Sequence, residues 1–344
     1  MAYTTIDKSS LHFNTKLYTG NGSAGNAQTG IGFQPDLTWI KCRSQGHEHY
    51  VFDVVRGVTK FLKTNTDSAE GTASGVTAWG ADGFTLGASD GMNENTDTFV
   101  AWNWKAGNSA GSSNTDGSIN TTTTSVNTTA GFSISKYTGT GANATVGHGL
   151  GKVPKVILFK KTNGADNWFN YHEAIGNTKR LLLSTDAVEA TSAGYFNSTT
   201  PTSSVFSLGT NGGNNGSGET YMAYCFADIP GFSKFGEYDG NGNANGTFIY
   251  TGFKPAWILI KCTNAAEYWH LYDGTRNPSN ETNLRLLPNT DSAESTEAGV
   301  DLLSNGFKWR NSASNFNGSS KNYVYMAFAA APLVGSNNVP ATAR

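Results

Sequence analysis

The string KLYTGNG at residues 16–22 returns as SKYTGTG at 135–141 and as GEYDGNG at 236–242. In each place the same elements follow in the same order. First comes a Gly/Pro-led apolar run (GFQPDLTWIKC, 32–42; GLGKVPKVILFKK, 149–161; GFKPAWILIKC, 252–262). Next is an acidic turn (NTDSAEGTASG, 65–75; STDAVEATSAG, 184–194; NTDSAESTEAG, 289–299), and last an aromatic strand (FVAWNW, 99–104; YMAYCF, 221–226; YVYMAF, 323–328). The interval from Tyr18 to Tyr137 equals that from Pro35 to Pro154, and the interval from Tyr137 to Tyr238 equals that from Pro154 to Pro255. Markers that recur with matched offsets are the signature of a triplicated unit, and this takes precedence over any local reading.

The aromatic strand alternates. Val100, Trp102 and Trp104 share one face, as do Met222, Tyr224 and Phe226, and then Val324, Met326 and Phe328, so this face is assigned to a core. The opposite face shrinks toward its end (Phe99, Ala101, Asn103; Tyr221, Ala223, Cys225; Tyr323, Tyr325, Ala327), which predicts close packing there. The run after each proline is apolar without strict alternation, as in a strand covered on both faces, and a proline suits the start of such a strand because it donates no ladder hydrogen bond. A short strand around Phe84, Phe206 and Phe307 is expected to form a hairpin with the aromatic strand through loops rich in Gly and Asn (87–97, 209–219, 310–321). Asp67 with Glu70, Asp186 with Glu189 and Asp291 with Glu294 have the spacing of a helix capping box, each closed by a downstream glycine.

Short strands punctuated by turns predict an all-β chain of three tandem antiparallel β-sandwich or jelly-roll-like units. The expected boundaries are 1–106, 131–230 and 231–344, the last including a C-terminal tail, with a Gly/Ser/Thr/Asn linker at 107–130. One closed toroid of three large blades is the competing arrangement, against which the linker speaks.

Charged residues make up 15% of the 344, and the net charge is -2, so the surface is expected to be neutral, polar and tolerant of salt. Nucleic acid is excluded as a partner, because phosphate neutralisation needs a basic patch. The N-terminal stretch lacks a signal-peptide core and no run reaches the ~18–20 apolar residues of a membrane helix, so a soluble chain made in a cytosol without membrane insertion is expected. Cys42 and Cys262 occupy equivalent strand positions, where the second unit has Lys161, which speaks against structural disulfides.

Chemistry-bearing patterns are sparse. No nucleophile elbow, H-E-x-x-H or C-x-x-C occurs, so no catalytic residues and no cofactor are assigned and an enzyme is not expected. His47 and His49 share one face of an extended segment, but Trp168 and Trp269 stand at the positions of His49 and suit packing, so no metal ligand is assigned. Asp53, His172 and Asp273 fall in register as a polar strand end. The Gly-x-Gly strings lack the strand-loop-helix setting of a phosphate loop. Aromatic faces that stack on sugars are the remaining clue to binding, and Trp79, Trp168, Trp269 and Trp309 are the candidate ligand-binding residues.

The set YTGNG, GF-x-P-x-W-I-x-I-K, NTDSAE, SNGF and Y-x-Y-M-A-F-A, with the tail 332–344, resembles repeat-containing, tail-fibre-like structural proteins in the virions of marine bacteriophages. The first unit departs most, with Trp102-Asn103-Trp104 in place of a terminal A-F or C-F. The resemblance implies a virion protein assembled in the host cytoplasm, built among other phage structural proteins as a homotrimer. It further implies exposure to the host surface and contact with a receptor, either a surface glycan or an envelope protein. A capsid or tail decoration protein without a receptor role is the alternative, since no fibre shaft follows in the sequence.

Overall fold

Aromatic strands dominate the architecture because each one is an interior strand, paired on both edges, of its sheet. In the computed structural model, which describes residues 4–330 together with 333–334 and 340–341, Thr98–Trp104 lies between Phe13–Thr19 and Leu37–Cys42. Thr220–Phe226 lies likewise between Phe132–Thr138 and Val156–Lys161, and Asn322–Ala329 between Ser233–Asp239 and Pro255–Cys262. All pairings are antiparallel, and the register is the same in each: Tyr18 faces Phe99, Tyr137 faces Tyr221, and Tyr238 faces Tyr323. These opposed rings stack at centroid distances of 5.1, 5.4 and 4.8 Å. The chain is all-β, with helix confined to single turns. Most of the tail 332–344 lies outside the described residues.

A smaller sheet covers one face of each large one. In the first segment it comprises Asn26–Gln28, Gly83–Leu86 and Val76–Gly80; in the second, Ala144–Gly147 and Val205–Leu208; in the third, Phe248–Tyr250, Gly306–Trp309, Ser295–Leu303 and Thr282–Arg285. The hairpin expected around Phe84, Phe206 and Phe307 is thus corrected. These residues sit in the small sheet, and the chain crosses to the large sheet through the 87–97, 209–219 and 310–321 loops.

Those loops explain the opening string. Asn93, Asn215 and Asn317 are fully buried. Each accepts a backbone N–H from the middle of the Gly-x-Gly turn (Asn21 at 3.0 Å, Thr140 at 2.9 Å, Asn241 at 3.0 Å). Each also donates its amide to carbonyls on both sides, for example Ser23 and Gly87 for Asn93. The first glycine lies so close to the loop that a Cβ at Gly20 would stand 2.0 Å from the Glu94 carbonyl oxygen, and the second, Gly22, has φ +67, which an L side chain rarely adopts. Tyr18, Tyr137 and Tyr238 complete the clasp by donating to Met92, Asn214 and Phe316 carbonyls at 2.7–2.8 Å. A buried side-chain amide with every valence used is worth more than its short sequence signal suggests.

The second face of each large sheet is also buried, and here the segments meet. Val100, Trp102, Trp104, Met222, Tyr224, Phe226, Val324, Met326 and Phe328, the row assigned to a core, belong to one continuous cluster drawn from all three segments. Trp104 lies edge-on to Phe328 at 5.7 Å, and Phe328 in turn contacts Phe226 at 6.0 Å. The opposite row packs under each segment's own small sheet. The absence of alternation in 37–42, 156–161 and 255–262 therefore has a direct cause: both faces are covered, one by the small sheet and the other by neighbouring segments.

The 107–130 tract does not behave as a linker. Its residues Thr123–Asn127 form a strand paired with Phe132–Thr138, Ser112 bridges Thr124, and Ile119 bridges Val146. Ile119, Thr121, Thr124, Ser125 and Ala130 are buried. Its Ser/Thr content is used for hydrogen bonds, such as Thr124 Oγ1 with Ser135 Oγ at 3.0 Å, so a composition that resembles disorder here edges a sheet.

Candidate functional site

The seams between segments take up most of the residues that the sequence offers for chemistry. Glu70 N–H donates to Thr162 O, Glu189 N–H to Thr263 O, and Glu294 N–H to Arg43 O, each at 2.9 Å. The acidic turns therefore stitch first to second, second to third, and third back to first. None of the Asp–Glu pairs opens a helix, the helical turn Ala193–Phe196 starting only after Ser192, so the capping-box reading is corrected: the glutamate and its aspartate partner hold a neighbouring segment instead. Buried Lys160 donates to Asp67 O at 2.8 Å and buried Lys41 to Asp291 O at 3.1 Å; Lys261 lies in the field of Asp186. Burial lowers all three lysines to about 8.

The candidate tryptophans separate sharply. Trp168 is 1% exposed and donates its indole N–H to Lys63 O at 2.7 Å, across the first seam. Trp269 does the same to Leu182 O at 2.8 Å, across the second. His49, at their position, accepts from Trp39 Nε1 at 3.0 Å and lies beside the Leu287 backbone in the third. Trp309 is fully buried, donating to Tyr238 Oη at 2.9 Å. These three indoles have no free face and are corrected from ligand contacts to packing; Trp79 is half-buried against its own segment's core.

Polar strand ends reach the seams as well. Asp53 pairs with Arg56 at 2.6 Å and accepts from Tyr224 Oη at 2.7 Å; Asp273 pairs with Arg276 at 2.5 Å and accepts from Trp102 Nε1 at 3.0 Å. His172 donates to Tyr325 O at 3.3 Å. Both Asp–Arg pairs are fully sealed from solvent, so they position segments and offer no substrate access. Cys42, Cys225 and Cys262 are free and buried. His47, unlike His49, reaches the surface, where it meets Cys42 and Asp97. A cleft of about 260 Å³ opens between Asn14, Lys254 and Asn277.

What the surface does present is an aromatic edge. Strand Phe248–Tyr250 borders the small sheet of the third segment with Ile249 buried, and it leaves Phe248 43% and Tyr250 63% exposed on one face. Phe248 stands opposite Lys308, Lys308 opposite Asp301, and Asp301 pairs with Arg310 at 3.4 Å. Gly306, opposite Tyr250, lets the two strands approach closely, since a Cβ there would lie 2.0 Å from Ile249 O. The equivalent strands, Asn26–Gln28 and Ala144–Gly147, carry no aromatic residue. Sequence reasoning passed over this pair because it favoured tryptophan; the signal lay in FIY at 248–250, aromatic residues two apart at a sheet edge.

One family model matches residues 8–332, a span that takes in all three segments. The chain belongs to the family described as Domain of unknown function (DUF7483). That the DUF7483 unit covers the whole ring of seams agrees with segments that need one another for burial. No curated protein matches the chain. No helix among the described residues is long and apolar enough to cross a membrane.

Proposed function

We propose that this DUF7483 protein is a bacteriophage virion structural protein, tail-fibre-like, exposed on the particle and contacting a host surface glycan through the aromatic edge of its third segment. The observation that carries the reading is the exposed Phe248/Tyr250 face. Two solvent-facing rings beside a glycine, bordered by Lys308, Asp301 and Arg310, combine a stacking surface for sugar C–H faces with donors and acceptors for hydroxyls. Three copies of one unit closed around a shared core give that edge a rigid mount, and assembly as a homotrimer within the virion would present it three times, raising avidity without new contacts. The chemistry is binding, with no reaction assigned.

The double substitution Phe248→Ala/Tyr250→Ala tests it. Both side chains are exposed, so stability is expected to change by only about 0.5 kcal/mol, while adsorption of the purified protein to host cells or envelope glycans is expected to fall at least tenfold. Undiminished adsorption would rule out this face as the contact.

A second reading, a capsid or tail decoration protein, is favoured by the ring of equivalent seams, because a three-way unit suits a local threefold position on a particle. Density for the protein on intact virions at such positions, with no effect of specific antibodies on infection, would favour decoration over attachment.

A further inference from the structure

We infer that Cys42, His47 and Asp97, with Glu94 as a fourth donor, form a binding site for a divalent transition-metal ion, with Zn²⁺ the best match. Cys42 ends the strand Leu37–Cys42, and the next turn carries His47 back over it. Asp97 immediately precedes the neighbouring strand, Thr98–Trp104, and Glu94 follows the helical turn Asp90–Asn93. Arg43 N–H donates to Thr98 O at 2.7 Å and so locks the two strand ends side by side.

The donor atoms of Cys42, His47 and Asp97 all lie within 4.8 Å of one another. Cys42 Sγ is 3.8 Å from Asp97 Oδ2, and His47 Nε2 is 4.0 Å from that same oxygen and 3.2 Å from Glu94 Oε2. Tetrahedral zinc with bonds of about 2.0–2.3 Å sets its donors roughly 3.3–3.7 Å apart, so the cluster needs only small side-chain adjustments to close on an ion. A thiolate, an imidazole and carboxylates are the donor set of Zn²⁺ rather than of Mg²⁺ or Ca²⁺, which take oxygen alone. The orienting contact that such sites require is present: Ser44 Oγ donates to Asp97 Oδ1 at 2.9 Å and accepts from Thr98 N–H at 3.0 Å, which leaves Oδ2 aimed at the thiol and imidazole. Cys42 and Asp97 are buried while His47 and Glu94 reach solvent, so the ion has an entry path.

The other two segments supply an independent argument, because each carries its own cation at this place. Lys161 replaces Cys42 in the second segment, beside Asp166 and Glu219 at the positions of His47 and Asp97, and its ammonium pairs with Glu219 at 3.2 Å. In the third, Cys262 and Glu267 keep company with Lys321 at the position of Asp97, close enough to act on the Cys262 thiol. In the first segment neither lysine is there, and among the described residues no Lys or Arg pairs with Glu94 or Asp97. A metal ion takes the place of the missing ammonium, binding as the thiol proton leaves to solvent.

The test uses the full chain, stripped with a chelator and re-equilibrated with Zn²⁺ or Co²⁺. One Zn²⁺ per chain is expected to survive desalting, and Co²⁺ is expected to show a thiolate-to-cobalt charge-transfer band. Cys42→Ser should abolish the band, and His47→Gln, at a partly exposed position where folding is not at stake, should weaken Zn²⁺ binding at least tenfold. Cys262→Ser should leave both readouts unchanged. Failure to retain Zn²⁺ at micromolar concentrations, or binding that persists undiminished in His47→Gln, would overturn the assignment.

Discussion

Replacing Trp269 with alanine is expected to destabilise the whole molecule by about 3–5 kcal/mol, the usual range for emptying a buried tryptophan site. The indole is 4% exposed, belongs to the cluster shared by all segments, and gives Leu182 O its hydrogen bond across the second seam. Removing it leaves a cavity and an unpaired carbonyl in the same place, and each of these has its own cost. Trp79→Ala is the matched control: its ring is half-buried at the edge of one segment, and the change should cost about 1 kcal/mol or less. Denaturant melts of the two variants check the contrast. Equal losses would mean that the seams carry no more of the stability than the periphery does.

Acid is expected to weaken the fold between pH 6.5 and 4, well above the range where most carboxylates titrate. His172 is held neutral by burial, its pKa lowered to about 4, and burial also holds His49 and His270 well below their usual value. In the unfolded chain each protonates near 6.5. Their full contribution is therefore present above that pH and declines as the pH falls, because the unfolded state takes up protons that the folded state refuses. For His172 alone the loss by pH 4 is about 3 kcal/mol. Asp36 acts in the opposite sense. Burial raises its pKa to about 6, so the folded protein gains from protonating it between 6 and 3.8, which offsets roughly the equivalent of one histidine. Three histidines against one aspartate leave a net loss. Urea midpoints at pH 7.5 and 4.5 measure it, and an unchanged midpoint would show that the histidines are not buried as neutral rings.

The sequence revealed the strands and concealed how they are shared. Val100, Trp102 and Trp104 read correctly as a core face, because alternation is a property of one strand. Which segment covers that face is not a property of one strand, and nothing in FVAWNW distinguishes an internal core from a seam. The acidic turns misled for a related reason: an Asp and a Glu three residues apart satisfy a helix cap and an inter-segment stitch equally well. Two signals pointed the right way. The apolar runs lacked alternation and so required cover on both faces, and Lys41, Lys160 and Lys261 sat inside those runs at one recurring position, where a buried ammonium must find carbonyl partners, met by their own turns and, for Lys41 and Lys160, by the neighbouring segment as well. The candidate site was less legible. Trp168, Trp269 and Trp309 fit sugar stacking by residue type, but exposure decides binding, and exposure is set by the seams. The Cys42–His47–Asp97 cluster joins the last residue of one strand, the turn after it and the residue before a neighbouring strand, which only the pairing of Leu37–Cys42 with Thr98–Trp104 brings together.

The central claim is that the three segments are one cooperative structure, since their large sheets bury one face against each other rather than against solvent. Differential scanning calorimetry of the intact chain tests it most directly. A single transition whose calorimetric enthalpy equals its van't Hoff enthalpy is the predicted result. Resolved transitions, or a calorimetric enthalpy near three times the van't Hoff value, would show segments that melt independently and would contradict the shared core.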